Sequence, residues 1–116
     1  MNDINILVEA IDKFAEDRDW DKFHSPKNLS MALVAEAGEL VEQFQWLTEE
    51  ESRNLSPEKT QSVRSEIADV LIYTLRLCSK LGIDPIQSVE DKISENGKKY
   101  PVGLAKGNAR KYSDLQ

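Results

Sequence analysis

The first regular feature of the chain is a series of apolar residues spaced three and four positions apart near the N-terminus. The series comprises Ile4, Leu7, Val8, Ile11, Phe14 and Ala15. This spacing places apolar side chains on one face of an α-helix. We therefore predict an amphipathic helix from Asp3 to Asp17.

Three later helix starts are marked by a capping residue that is followed directly by proline. The pairs are Ser25-Pro26, Ser56-Pro57 and Asp84-Pro85. A Ser or Asp side chain accepts a hydrogen bond from the free backbone N–H groups of the first turn, and proline suits the first helical position because it has no N–H to satisfy. Together with the apolar spacing, the pairs predict helices over residues 26–46, 57–81 and 85–96.

The connecting segments carry local signals of their own. Thr48 and Glu51 have the spacing of a capping box, which predicts a short helical turn. Gly82 suits a left-handed cap at the end of the third long helix, and we expect residues 100–116 to form an irregular, basic tail. Because no segment alternates with period two, we predict an all-α fold of the four-helix-bundle type, forming a single domain over residues 1–116.

The third long helix is apolar around most of its circumference. Between Ile67 and Leu77 its polar residues form a narrow stripe, which continues from Glu66 through Asp69 to Arg76. A helix with so little polar surface should be buried on most sides, and a chain of 116 residues offers limited cover. We therefore expect a homo-oligomer; the alternative is a central helix in a compact monomer.

The charge of the chain narrows the functional classes. The net charge of −6 argues against binding to DNA or RNA, whose phosphates require a basic surface. A small nucleotide remains compatible, since it brings a divalent metal that carboxylates can hold.

No apolar run approaches the ~18 residues of a membrane span. The single cysteine, Cys78, allows no intrachain disulfide and favours a cytoplasmic location.

Two pairs of acidic residues have the spacing and setting of metal ligands. Glu36 and Glu39 lie three positions apart in the second predicted helix, and Glu66 and Asp69 lie three apart in the third. Residues at this spacing share one helix face. Carboxylates on apolar helices would repel one another and are costly without a partner. A hard divalent cation such as Mg²⁺, Mn²⁺ or Ca²⁺ would relieve the repulsion.

Other interpretations of these acids remain possible from the residues alone. They could be ordinary surface acids, the commonest setting for Glu in helices. A di-iron carboxylate bundle requires Glu-x-x-His on its helices. His24 is the only histidine and lies in a predicted loop, so we exclude that class.

Motifs along nearly the whole chain resemble those of a known enzyme family. They are residues 18–24 (RDWDKFH), 26–29 (PKNL), 36–40 (EAGEL), 44–46 (FQW), 66–73 (EIADVLIY), 99–101 (KYP) and 110–112 (RKY). This pattern is similar to the MazG-like all-α nucleoside triphosphate pyrophosphatases, and in particular to their dCTP pyrophosphatase branch. One departure is Ala35, where the broader family carries an additional glutamate.

The resemblance implies an activity and an assembly. Such enzymes hydrolyse a nucleoside triphosphate between its α and β phosphates, and they form dimers or tetramers with the site between subunits. By analogy, Glu36, Glu39, Glu66 and Asp69 are the catalytic residues and bind Mg²⁺, and Glu36 or Glu39 orients or deprotonates the attacking water. We expect dCTP or a modified cytosine nucleotide as substrate, in cleansing of the nucleotide pool by a homotetramer or dimer.

Substrate contacts are assigned to aromatic and basic residues and to one asparagine. The candidates are Trp20, His24, Trp46, Tyr73, Asn96, Lys99, Arg110 and Lys111. The aromatic rings would contact the base or sugar, and the cations would bind the departing pyrophosphate. Two alternatives remain at this point: the same reaction on dUTP or a noncanonical purine nucleotide, and a helical binding protein without enzymatic activity.

Overall fold

The computed structural model describes residues 3–115, and these residues contain helices and no strands. The α-helices are α1 (Ile4–Asp17), α2 (Pro26–Glu42), α3 (Glu49–Arg53), α4 (Pro57–Leu81), α5 (Pro85–Lys99) and α6 (Val102–Ala105). Short 3-10 turns span Asp21–Phe23 and Tyr112–Asp114. The predicted all-α class is therefore confirmed. No helix in this part of the chain has the length and apolar character needed to cross a membrane.

The predicted helix starts are confirmed together with their chemistry. The Ser25 hydroxyl accepts from the backbone N–H of Asn28 at 3.1 Å, and the Ser56 hydroxyl accepts from that of Lys59 at the same distance. The Asp84 carboxylate accepts from the first turn of α5. Side-chain capping of the free N–H groups thus fixes where these helices begin.

The local signals in the connections are also confirmed. The Thr48 hydroxyl and the Glu51 carboxylate exchange hydrogen bonds with each other's backbone N–H groups, at 3.1 and 2.8 Å. This reciprocal capping box begins α3. Gly82 ends α4 with φ of 67°, in the left-handed region that a side chain would disfavour.

Helix α2 ends earlier than predicted. It stops at Glu42, whereas the apolar pattern continues to Trp46. After Val41 the backbone changes to shorter-range bonds, in which Phe44 N–H donates to the Val41 carbonyl at 2.9 Å and Leu47 N–H donates to the Phe44 carbonyl at 2.9 Å. Residues 43–46 therefore form tight turns, and Trp46 lies outside the helix.

The C-terminal part of the chain is more helical than predicted. Helix α5 continues one turn beyond Asn96, to Lys99. The segment expected to be irregular contains α6 and the 3-10 turn at Tyr112–Asp114. The other residues between positions 100 and 115 are irregular.

The chain divides into two compact units, one ending at Ile83 and the other beginning at Asp84. In the first unit, α2 packs along α4, and α1 packs against α4. Its buried core is small: Ala15, Leu29, Val63 and Leu75. The second unit contains α5 and α6. The single-domain assignment remains a prediction.

Several apolar side chains of the first unit are exposed on α2 and α4. Val34 on α2 is 71% exposed, and Ile67 and Leu71 on α4 are 51% and 43% exposed. The predicted burial of α4 on most sides is thus not achieved within this chain. A homo-oligomer, which would cover such residues, remains a prediction.

Candidate active site

Three of the four predicted metal ligands converge. Helix α2 presents Glu36 and Glu39, and the adjacent helix α4 presents Glu66. One carboxylate oxygen from each of these residues lies within 4.8 Å of the other two. We call this group the glutamate cluster. The three-residue spacing on α2 and the packing of α2 against α4 together produce it.

The glutamate cluster is electrostatically strained. The pKa of Glu36 rises to about 7, because it hydrogen-bonds to Glu39, is desolvated and is repelled by the neighbouring carboxylates. The pKa of Glu66 is also raised, first by desolvation and then by Glu39. One oxygen of each, Oε2, is buried without a hydrogen-bond partner. A buried carboxylate oxygen without a hydrogen-bond donor costs free energy, and a cation bound to the cluster would lower that cost.

The donor set fits a divalent cation. Three carboxylates supply hard oxygen ligands of the kind that Mg²⁺, Mn²⁺ and Ca²⁺ prefer. Among the described residues, no arginine or lysine forms an ion pair with Glu36, Glu39 or Glu66. The unpartnered Oε2 atoms of these two residues are the observation that favours a cation at this place.

Asp69 lies beside the glutamate cluster but is not one of its three converging members. Its charge raises the pKa of both Glu36 and Glu66, so it is close enough to act on them. It also lines the neighbouring cavity. Its predicted role as a fourth metal ligand stays a prediction.

Glu42 also raises the pKa of Glu66 and was missed by the sequence analysis. The available signal was its position three residues after Glu39, which continues the acidic face of α2.

An apolar cavity of about 380 Å³ lies next to Asp69. Its apolar wall, which includes the Phe14 ring, comes mainly from α1, and the other lining residues come from the following loop and α4. The lining residues outside the apolar wall are Trp20, His24, Asp69, Tyr73 and Arg76. An apolar cavity with a few polar groups at one side is the usual form of a small-molecule site.

The cavity brings together three of the predicted substrate residues: Trp20, His24 and Tyr73. Trp20 and His24 meet edge to face, with ring centroids 6.2 Å apart. Trp46 does not line this cavity, and it is 86% exposed in the turns after α2. Its predicted contact with the base is therefore not supported by its position in this chain.

A buried arginine connects three elements at this cavity, and its role was also missed. Arg76 is only 6% exposed. Its guanidinium donates from Nη1 to Asp12 Oδ1 at 2.7 Å and from Nη2 to Asp21 Oδ1 at 3.0 Å. From Nε it donates to His24 Nδ1 at 3.1 Å. The sequence offered Arg76 only as a possible neighbour of the acids on α4.

The other predicted substrate residues lie in the second unit. Asn96 and Lys99 are on the last turn of α5, and Arg110 and Lys111 precede the C-terminal 3-10 turn. Lys99 forms an ion pair with Glu95 at 3.1 Å, which raises the pKa of the Lys99 ammonium. Their predicted contacts with phosphate stay predictions.

The all-helical fold and the glutamate cluster define a class: a helical protein with a carboxylate site suited to a metal and an apolar cavity beside it. The MazG-like family model matches residues 31–115. The chain therefore belongs to the MazG-like family, as the motifs predicted.

Curated relatives and a solved structure agree with this assignment. dCTP pyrophosphatase 1 of Bos taurus is 44% identical over 105 residues, which are 89% of this chain and 62% of the relative. dCTP pyrophosphatase 1 of Homo sapiens is 42% identical over the same shares. The chain thus spans about 62% of the length of these relatives. The crystal structure of a pyrophosphatase from Archaeoglobus fulgidus superposes with a TM-score of 0.79 at 40% identity, covering 84% of this chain and 91% of that one.

Proposed function

We propose that this protein is a Mg²⁺-dependent nucleoside triphosphate pyrophosphatase that favours dCTP or a modified cytosine nucleotide. The observation that carries the proposal is the glutamate cluster with its unpartnered buried oxygens, beside a cavity suited to a base. The substrate class is supported by the curated relatives, which are named dCTP pyrophosphatase 1. Mn²⁺ would meet the same ligand requirements.

The proposed reaction takes place at the glutamate cluster, and the nucleotide base is held in the cavity. Bound to the glutamate cluster, Mg²⁺ would neutralise phosphate charge and acidify water. Glu36, Glu39 and Glu66 would hold the ion, and Asp69 is the proposed fourth ligand. Glu36 or Glu39 orients the attacking water and takes its proton as the new P–O bond forms. The bond between the attacked phosphorus atom, α or β, and the α–β bridging oxygen would break, and the products would be the monophosphate and pyrophosphate.

The cavity is the proposed site for the base and sugar. Trp20 offers an aromatic face for stacking, which contributes ~1–3 kcal/mol per base in single-strand binders. Tyr73 lies one helical turn beyond Asp69 and is assigned to the sugar. Stacking accepts any base, so the choice of base depends on hydrogen-bond donors and acceptors in the cavity, among them His24.

We also propose that the protein acts as a homo-oligomer in the cytoplasm, where it would remove unwanted nucleotides from the pool. The exposed apolar side chains of α2 and α4 support the assembly, because contact with another copy would cover them. Lys99, Arg110 and Lys111 remain the proposed ligands of the departing pyrophosphate, on the basis of their charge.

A panel assay tests the activity. The protein is incubated with Mg²⁺ and each canonical dNTP, dUTP and a noncanonical purine triphosphate, and released pyrophosphate and orthophosphate are measured separately. We expect pyrophosphate, fastest from dCTP. Faster release of pyrophosphate from dUTP or a purine nucleotide would show that this nucleotide, and not dCTP, is the preferred substrate. Release of orthophosphate alone would indicate a different kind of hydrolase. No turnover of any nucleotide would favour the alternative of a binding protein without enzymatic activity.

The variant Glu39→Gln tests the site itself. It retains the side-chain shape and removes one charge from the glutamate cluster. We expect at least a 100-fold loss of kcat with an unchanged helical circular dichroism spectrum, on the scale of losing a charged group in electrostatic catalysis. Glu49→Gln on α3 is the matched control, since Glu49 is 92% exposed and outside both the cluster and the cavity. Normal turnover by Glu39→Gln would show that Glu39 is not part of the active site.

A further inference from the structure

We propose that Arg76 is a positioning residue that holds His24 as the neutral tautomer with its proton on Nε2. The cavity then presents one imidazole N–H to a hydrogen-bond acceptor, a ring nitrogen or carbonyl oxygen, of the bound base. The second half of this proposal rests on the proposed nucleotide substrate. The first half depends only on the contacts of Arg76.

The guanidinium of Arg76 is fixed from three directions. Asp12 lies on α1, Asp21 lies in the 3-10 turn, and His24 directly follows that turn. Each of the three guanidinium nitrogens donates to a different one of these residues, at 2.7 to 3.1 Å. The two carboxylates are held in turn, because the Ser79 hydroxyl donates to Asp12 and Lys80 Nζ donates to Asp21 at 2.6 Å. A buried, pre-organised fork of donors is a function that arginine provides and lysine does not.

This geometry determines which nitrogen of His24 carries the proton. A guanidinium has N–H donors and no acceptor. The Nδ1 atom that receives the Arg76 Nε–H must therefore be the unprotonated nitrogen of the ring. In the neutral imidazole the only remaining N–H is on Nε2. Within residues 3–115, no hydrogen bond from Nε2 to another residue is formed, so this donor is available to a ligand.

The surroundings of His24 oppose its protonation. Burial and the positive charge of Arg76 lower its pKa, with a smaller contribution of the same sign from Lys80, and Asp21 acts in the opposite direction. Asp69 lines the same cavity, and Asp12 is already paired with Arg76. The ring also packs edge to face against Trp20, which restrains its orientation.

Nuclear magnetic resonance can read this arrangement directly, because His24 is the only histidine in the chain. Two-bond proton–nitrogen spectra of ¹⁵N-histidine-labelled protein separate the Nε2–H tautomer from the Nδ1–H tautomer. We expect a single Nε2–H pattern for the wild-type protein at pH 7. For Arg76→Met, which removes all donors, we expect nitrogen shifts averaged between tautomers and titration at a higher pH. A wild-type Nδ1–H pattern, or identical spectra for both proteins, would overturn the proposal.

The matched control is Lys80→Met. It removes a cation from the same network, yet Lys80 contacts Asp21 and does not contact His24. We expect it to keep the wild-type Nε2–H pattern. Averaged shifts in this variant would show that general charge, rather than the Arg76 bond, sets the tautomer, and would also overturn the proposal.

Kinetics test whether the N–H faces the nucleotide. With Mg²⁺ and dCTP, Arg76→Met should raise KM about 2-fold with kcat nearly unchanged, because averaged tautomers leave roughly half of the molecules with the Nε2–H donor. Lys80→Met should retain the wild-type KM. An unchanged KM in Arg76→Met, with the tautomer altered as expected, would refute the contact with the base.

The resonance comparison needs no turnover, so it decides the Arg76–His24 pairing even if the wild-type protein releases no pyrophosphate. If Arg76→Met does not fold, the variant Asp12→Asn, Asp21→Asn, Arg76→Met removes the carboxylates left without their partner. It carries the same expectation of averaged nitrogen shifts, and a pure Nε2–H pattern in it would count against the proposal.

Discussion

The contribution of Glu36 to the stability of the metal-free protein should fall as the pH rises from about 4.5 to 7. An unfolded glutamate loses its proton near its ordinary pKa of 4.5, whereas folded Glu36 keeps it until about 7. Over that interval the folded state binds more protons than the unfolded state, so stability is greatest below the lower pKa and is lost through the upper one.

The magnitude follows from the same pKa. A rise from 4.5 to about 7 corresponds to roughly 3 kcal/mol at about 1.4 kcal/mol for each tenfold change in proton affinity. Because Glu36 shares its proton with neighbouring carboxylates and is partly exposed, we expect about 1–3 kcal/mol in practice. Glu36→Gln removes the ionisation and should be more stable than the wild type at pH 7.5 by this amount.

Urea denaturation with a chelator present measures the effect, at one protein concentration and at several pH values between 4 and 7.5. The difference between Glu36→Gln and the wild type should grow with pH, and Glu49→Gln should follow the wild-type curve. Adding Mg²⁺ should stabilise the wild type more than Glu36→Gln, because the ion relieves repulsion that the variant lacks. Parallel curves for Glu36→Gln and the wild type at every pH would refute the strained-cluster reasoning.

Two further predictions concern the first unit. Leu29→Ala should lower the free energy of unfolding by about 2–5 kcal/mol, since Leu29 is 1% exposed, whereas Met31→Ala should change it little because Met31 is 60% exposed; equal losses in urea denaturation would contradict this. Gly82→Ala should cost about 1 kcal/mol because φ is 67°, while Gly38→Ala within α2 should be neutral or stabilising. A fully stable Gly82→Ala would show that α4 does not depend on its left-handed cap.

The sequence predicted helix starts better than helix ends, for a physical reason. A start depends on a side chain within three residues, such as Ser25 or Ser56, and these interactions are local. The end of α2 depends on a change to shorter-range backbone bonds after Val41, for which the apolar pattern gives no sign. This is why Trp46 was placed on a helix that stops at Glu42.

The same distinction applies to the site. The glutamate cluster was predictable because a three-residue spacing puts acids on one helix face, and α2 and α4 then needed only to be neighbours. The contacts of Arg76 were not predictable, because they join residues 52 to 64 positions apart, on elements whose relative placement no local pattern specifies. The sequence therefore predicted the acidic residues of the site but not the hydrogen bonds that Arg76 makes beside the cavity.

The three-way pairing of Arg76 has a consequence for how this protein can diverge. Replacing Arg76 alone removes an ion-pair partner from both Asp12 and Asp21. Replacing Asp12 alone leaves the buried guanidinium with only one carboxylate partner. Single exchanges at these positions should therefore destabilise the protein more than a joint exchange to smaller neutral residues. Across relatives, we expect positions 12, 21 and 76 to vary as a correlated set.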